Sequence, residues 1–81
     1  MKCRNVNMTT SAVQLASDVA DEPYFENLNT NTGVITLYMH NTPIQVAQIA
    51  KGTRIRINQL AQLDEIDAKS GTKDDILAIT Y

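Results

Sequence analysis

The sequence predicts a small α+β domain: one N-terminal helix packed on a mostly antiparallel sheet, or on a partly closed barrel, of four to five strands. Three observations lead there. Apolar residues between positions 12 and 20 recur at helical spacing, and β-branched or alternating runs fill most of the chain after residue 33. The length of 81 residues leaves room for a single domain, 1–81, with one modest core.

The opening "MKCRNVNM" lacks the apolar run of a secretory signal, and no stretch is long and apolar enough to span a membrane. The helix is expected in "TTSAVQLASDVADEP". Ala12, Val13, Leu15, Ala16, Val19 and Ala20 fall on one helical face, Thr10 or Ser11 can cap it, and Pro23 stops it. "YFENLNTNTG" then reads as a loop, because Asn and Thr side chains bond nearby backbone and compete with regular structure. Tyr24, Phe25 and Leu28 pin that loop to the core. Phe25 is the only phenylalanine and there is no tryptophan, so it reads as core rather than as a stacking platform.

"VITLYMH" (34–40) is β-branched and aromatic and suits a strand. Its alternation puts Ile35, Leu37 and Met39 on one face and Val34, Thr36, Tyr38 and His40 on the other. "NTPIQVAQIAKG" admits a short helix framed by Pro43 and Gly52, or the return strand of a hairpin turned at Asn41-Thr42-Pro43. The strand is preferred, since two turns of helix have little stability of their own. "TRIRIN" is a further strand with Thr53, Ile55 and Ile57 inward. The rest reads as a hairpin, with Leu63 and Ile66 in its first arm and Lys69-Ser70-Gly71-Thr72 as its turn. A short helix over 59–67 is the competing form of that first arm. "DILAITY" closes the fold, with Leu77, Ile79 and Tyr81 on one face, and a terminal apolar strand of this kind is expected to be tied into a sheet.

Composition narrows the chemistry. Cys3 is the only cysteine, so the chain cannot form a disulfide within itself, and Cys3 with His40 makes too few soft ligands for structural zinc. A Cys3–His40 nucleophile pair has no support in spacing. The acidic run "LDEIDAKSGTKDD" fails as a calcium loop: with Gly71 at the sixth position, Ile66 stands where an aspartate belongs. It reads as a solvated hairpin. No phosphate-binding glycine pattern or nucleophile elbow is present. No catalytic residue, metal site or cofactor is therefore expected, and the protein reads as a non-enzyme.

The net charge is −2, from seven basic and nine acidic residues, unlike a protein held to nucleic acid by bulk electrostatics. The charge is uneven, however. Residues 51–60 carry three basic groups and no acidic one, whereas 61–81 carry two basic and five acidic. If strands 34–40 and 53–58 are neighbours, Tyr38, His40, Arg54 and Arg56 share an outer face, and these four are the candidate binding residues. Cations beside an aromatic ring suit single-stranded nucleic acid. Arginines on a sheet equally suit a protein interface, and Lys51, Arg54 and Arg56 could meet Asp64, Glu65 and Asp67 of the same or another copy.

The leading expectation is a soluble, intracellular protein-binding or assembly module that forms homo-oligomers. The Asn- and Thr-rich, aromatic-poor composition would suit a phage or virion-associated protein. A nucleic-acid-binding barrel using the Arg54/Arg56 face is the alternative, and no membrane partner is expected.

Overall fold

Short runs of alternating side chains, rather than any helical stripe, organise the chain. The computed structural model describes residues 2–20, 22–58 and 62–81, and these contain eight strands and one short 3-10 turn. The strands are β1 (Cys3–Asn7), β2 (Val13–Gln14), β3 (Tyr24–Asn27), β4 (Ile35–Met39), β5 (Gln45–Ile49), β6 (Arg54–Arg56), β7 (Ile66–Ser70) and β8 (Ile76–Thr80). They form two antiparallel four-stranded sheets, sheet A in the order β1-β8-β3-β6 and sheet B in the order β2-β7-β4-β5. The protein is thus all-β, and the expected α+β class is overturned. Two open sheets replace the single sheet or partly closed barrel of four to five strands.

The two strand orders run in step. Strands adjacent in sequence occupy matching positions in opposite sheets: β1 with β2, β8 with β7, β3 with β4, β6 with β5. Short connections enforce this, because a few residues can reach the other layer but cannot cross a sheet. Only β4 and β5 form a hairpin within one sheet. The core lies between the layers, with Phe25, Leu77 and Ile79 from sheet A against Ile35, Leu37, Ile49, Ile66 and Ala68 from sheet B. Met8, Leu15, Ala20 and Leu63 close the same cluster.

No helix forms among the described residues of 10–22. Val13 and Gln14 pair with Ala68 and Asp67 at the edge of sheet B, and the Leu15 amide donates to the Ile66 carbonyl at 3.0 Å. Inward residues here are Val13, Leu15 and Ala20, while Ala12 and Val19 are exposed. A helical stripe half made of alanine offers little apolar area, and an isolated helix of this length is marginal. Pairing with a sheet edge outweighs the propensity of alanine, which is only a weak preference.

The N-terminal segment, for which no element was expected, is a strand, with β1 paired along its length to β8. Two further expectations are corrected. "YFEN" is not loop but β3, a central strand between β8 and β6, although Phe25 is core as expected. Residues 63–81 are not a hairpin: β7 and β8 belong to different sheets, Lys69 and Ser70 end β7 rather than turn, and residues 71–75 carry the chain across the sandwich. The first part of the competing helix, residues 59–61, lies outside the described residues; Leu63–Glu65 is the 3-10 turn. The hairpin reading of 41–49 is what forms, and the closing strand is tied in centrally between β1 and β3.

A buried polar network holds one end of the sandwich. Asn27 Nδ2 donates to the carbonyls of Gly33 at 2.9 Å and Ile49 at 2.8 Å. Asn31 donates to Asn27 Oδ1 and to the Ile76 carbonyl, and accepts from the Ile76 amide at 2.8 Å. Asp75 accepts from the Ser70 hydroxyl at 2.7 Å and from the amides of Gly33 at 2.8 Å and Thr32 at 3.1 Å. These residues were expected in loops and a solvated turn. Instead they supply the partners that buried backbone groups require where strands leave the sheets.

Candidate functional site

The four residues singled out in the sequence are split between the sheets. Arg54 and Arg56 lie on β6 in sheet A, whereas Tyr38 lies on β4 and His40 just beyond it in sheet B. β4 pairs with β5 and β7, and β6 pairs with β3, so no shared face arises. The cause is the connection after β5, which crosses to the other layer instead of turning back beside β4.

On sheet A the arginines gather around a tyrosine. The Arg54 guanidinium sits 4.7 Å and that of Arg56 5.7 Å from the centre of the Tyr24 ring. Arg56 also donates to the Tyr24 hydroxyl at 3.3 Å and pairs with Glu22 at 2.6 Å, which holds its proton more firmly than usual. Glu26, opposite Arg54 in the ladder, adds a second carboxylate. The acidic partner of the arginine strand is therefore the Glu22–Glu26 region and not 64–67. A cluster balanced in this way has little surplus field for phosphate.

On sheet B, Tyr38 has the Lys69 ammonium over its ring at 5.5 Å. His40 Nδ1 lies 2.8 Å from Asp67, and the Asn41 amide donates to the same carboxylate at 3.0 Å. Burial alone would raise the Asp67 pKa, but the hydrogen bonds from Asn41 and His40 outweigh it and hold it below the usual aspartate value. Two shallow depressions of about 370 and 480 Å³ lie on this outer face, meeting at Thr10 and Lys69. Cys3 lies on β1 of sheet A, so the fold gives His40 no thiol neighbour in its own sheet. Among the described residues no group of three His, Cys, Asp or Glu side chains could hold a metal ion, and no helix is long and apolar enough to cross a membrane.

The Asp67 clamp has a structural consequence, because it fixes the hairpin that presents β5. Asn41 takes a left-handed conformation (φ 61°), Thr42 donates from amide and hydroxyl to the Met39 carbonyl, and the chain returns as β5. At its far end, the Ile49 carbonyl is held by Asn27, and Gly52 (φ 79°) turns the chain away. Between these anchors β5 is an edge strand of sheet B, and its outer side pairs with no strand among the described residues.

That edge differs from the other three. β1 carries Arg4 and two exposed asparagines, β6 is three residues with two arginines, and β2 is two residues long. β5 has five residues and no charge. Val46, 37% exposed, lies on it and Ile44, 61% exposed, immediately precedes it, while Val34 and Met39 are exposed on the neighbouring strand and its approach. Edge strands of soluble proteins usually carry charge or proline in such places, or are kept very short. The signal was present in the sequence: residues 27–50 contain no Lys, Arg, Asp or Glu, although 16 such residues occur in the chain.

The molecule is thus of the class of small antiparallel β-sandwiches with one open, neutral, apolar sheet edge. No protein-family model, curated protein or solved structure matches the chain.

Proposed function

We propose that this protein is a small non-enzymatic assembly module, which binds protein, its own copies included, by extension of sheet B through β5. The observation that carries the reading is the uncharged, unpaired β5 edge with Ile44 and Val46 exposed at it. An edge of this kind offers a row of free amides and carbonyls that only another strand satisfies in full. The apolar side chains beside it add area that is better removed from water. The Arg54–Tyr24–Arg56 cluster supports the nucleic-acid alternative less well, since Glu22 and Glu26 lie beside it.

Light scattering and sedimentation velocity across the micromolar range test the proposal. The mass should rise with concentration, and Ile44→Lys or Val46→Lys should abolish the rise while leaving the circular dichroism of the folded chain unchanged. A wild-type protein that stays monomeric throughout overturns it.

A further inference from the structure

Residues 44–49, "IQVAQI", read almost alike in both directions: Ile, Gln, a small aliphatic pair, Gln, Ile. In an unbroken strand that symmetry would have no use. Ile44 and Ile49 are five residues apart, and such residues project to opposite faces. A bulge removes the mismatch. The ladder runs Ile35↔Ile49, Thr36↔Gln48 and Leu37↔Ala47, then steps to Tyr38↔Gln45, leaving Val46 as the extra residue. Gln45 and Gln48 therefore share the outer face with Tyr38 and Thr36, while Ala47 and Ile49 face the core with Leu37 and Ile35. Ile44, whose carbonyl accepts from the Met39 amide at 3.0 Å, continues the face of Ile49 and Ala47 past the end of the core, where it and Met39 are exposed. At the pairs 44/49 and 45/48 the palindrome of residue types has become a palindrome of facing.

Two antiparallel edges related by a two-fold axis perpendicular to the sheet must oppose residues that share a face. We infer that β5 pairs with β5 of a second copy about such an axis at Val46–Ala47, joining two B sheets into one continuous eight-stranded sheet. Ile44 then opposes Ile49 of the partner subunit, and Gln45 opposes Gln48 of the partner subunit. This rests on the reading that β5 is the associating edge, and it specifies the occupant. A second copy is the occupant because the edge complements itself: apolar meets apolar, amide meets amide, and neither edge brings a formal charge to the axis. Of the other edge strands, β1 and β6 carry arginines, whose like charge keeps two copies apart, and β2 is only two residues long.

Site-specific cross-linking tests the register. Cys3→Ser removes the natural thiol, and Gln45→Cys and Gln48→Cys are made separately in that background, one of them isotopically heavy. The two variants are mixed, oxidised gently and weighed by mass spectrometry, with light scattering on the same samples. The mixed 45–48 disulfide should far exceed the statistical half of the cross-linked product, and each variant alone should cross-link slowly. A statistical or self-favouring distribution in a protein that does dimerise overturns this pairing and leaves edge association standing. A protein that remains monomeric overturns both.

Discussion

Replacing Asp75 by alanine strands three donors at once. The carboxylate is almost wholly buried and accepts from the Ser70 hydroxyl at 2.7 Å, the Gly33 amide at 2.8 Å and the Thr32 amide at 3.1 Å. Each stranded backbone donor costs about 1–3 kcal/mol, and Ser70 less, because its hydroxyl can rotate to another acceptor. The expected loss is about 3–5 kcal/mol, against a total of about 4–12 kcal/mol for a domain of this size. Urea unfolding followed by circular dichroism measures it, and at an m-value of about 1–1.5 kcal/mol/M the midpoint should fall by about 2–5 M. Asp75→Asn keeps one acceptor but turns an N–H toward a donor, so about 2 kcal/mol should go. Burial alone would raise the Asp75 pKa, but the bonds from Ser70, Thr32 and Gly33 outweigh it and leave it lowered. A lowered pKa stabilises above the ordinary aspartate range and is lost as pH falls through the folded value. The Asn variant should therefore show a shallower acid loss below about pH 4. A loss under about 1 kcal/mol for Asp75→Ala would refute the argument, by showing that water serves these donors equally well.

Other outcomes follow from the same geometry. Gly33→Ala should lose about 2–3 kcal/mol in the urea assay, since its Cβ would lie 2.8 Å from Ser70 Oγ and from the Thr72 amide nitrogen, and 3.0 Å from Asp75. Phe25→Ala empties the largest fully buried side chain and should lose about 3–5 kcal/mol in the same urea assay. Arg56→Ala should barely move the thermal midpoint at any salt concentration, because its ion pair with Glu22 is largely solvent-exposed. Asp18 is held below its usual pKa by the Tyr81 hydroxyl and by Arg4, so the pairing of β1 with β8 should loosen on acidification, read as lower amide protection in Cys3–Asn7 once intrinsic exchange rates are allowed for.

Several parts of this fold were legible in the amino-acid order. Ile35 and Leu37 on β4, and Leu77 and Ile79 on β8, alternate strictly and are buried as their spacing implies. Pro43 and Asn41 marked the one hairpin that forms within a sheet. The neutral stretch 27–50 is equally visible in the sequence, but missing charge marks an open edge only once the strand that borders it is known.

What only the tertiary structure decided are matters of partner. Val13 and Gln14 become strand because Ala68 and Asp67 offer them an edge about fifty residues further along the chain. "YFEN" becomes a central strand because β8 and β6 flank it, and no property of four residues foretells two such neighbours. Asn27, Asn31 and Asp75 are typical turn residues in sequence, yet they are buried because distant backbone groups need their donors and acceptors. Arg54 and Tyr38 part company for the same reason, as the turn at Gly52 sends the chain to the other layer. Local sequence sets which side of a strand is apolar, since that needs only the period of the backbone. Which strand lies beside which is settled by the burial and hydrogen bonding of the whole chain, and β5 is left open only by that settlement.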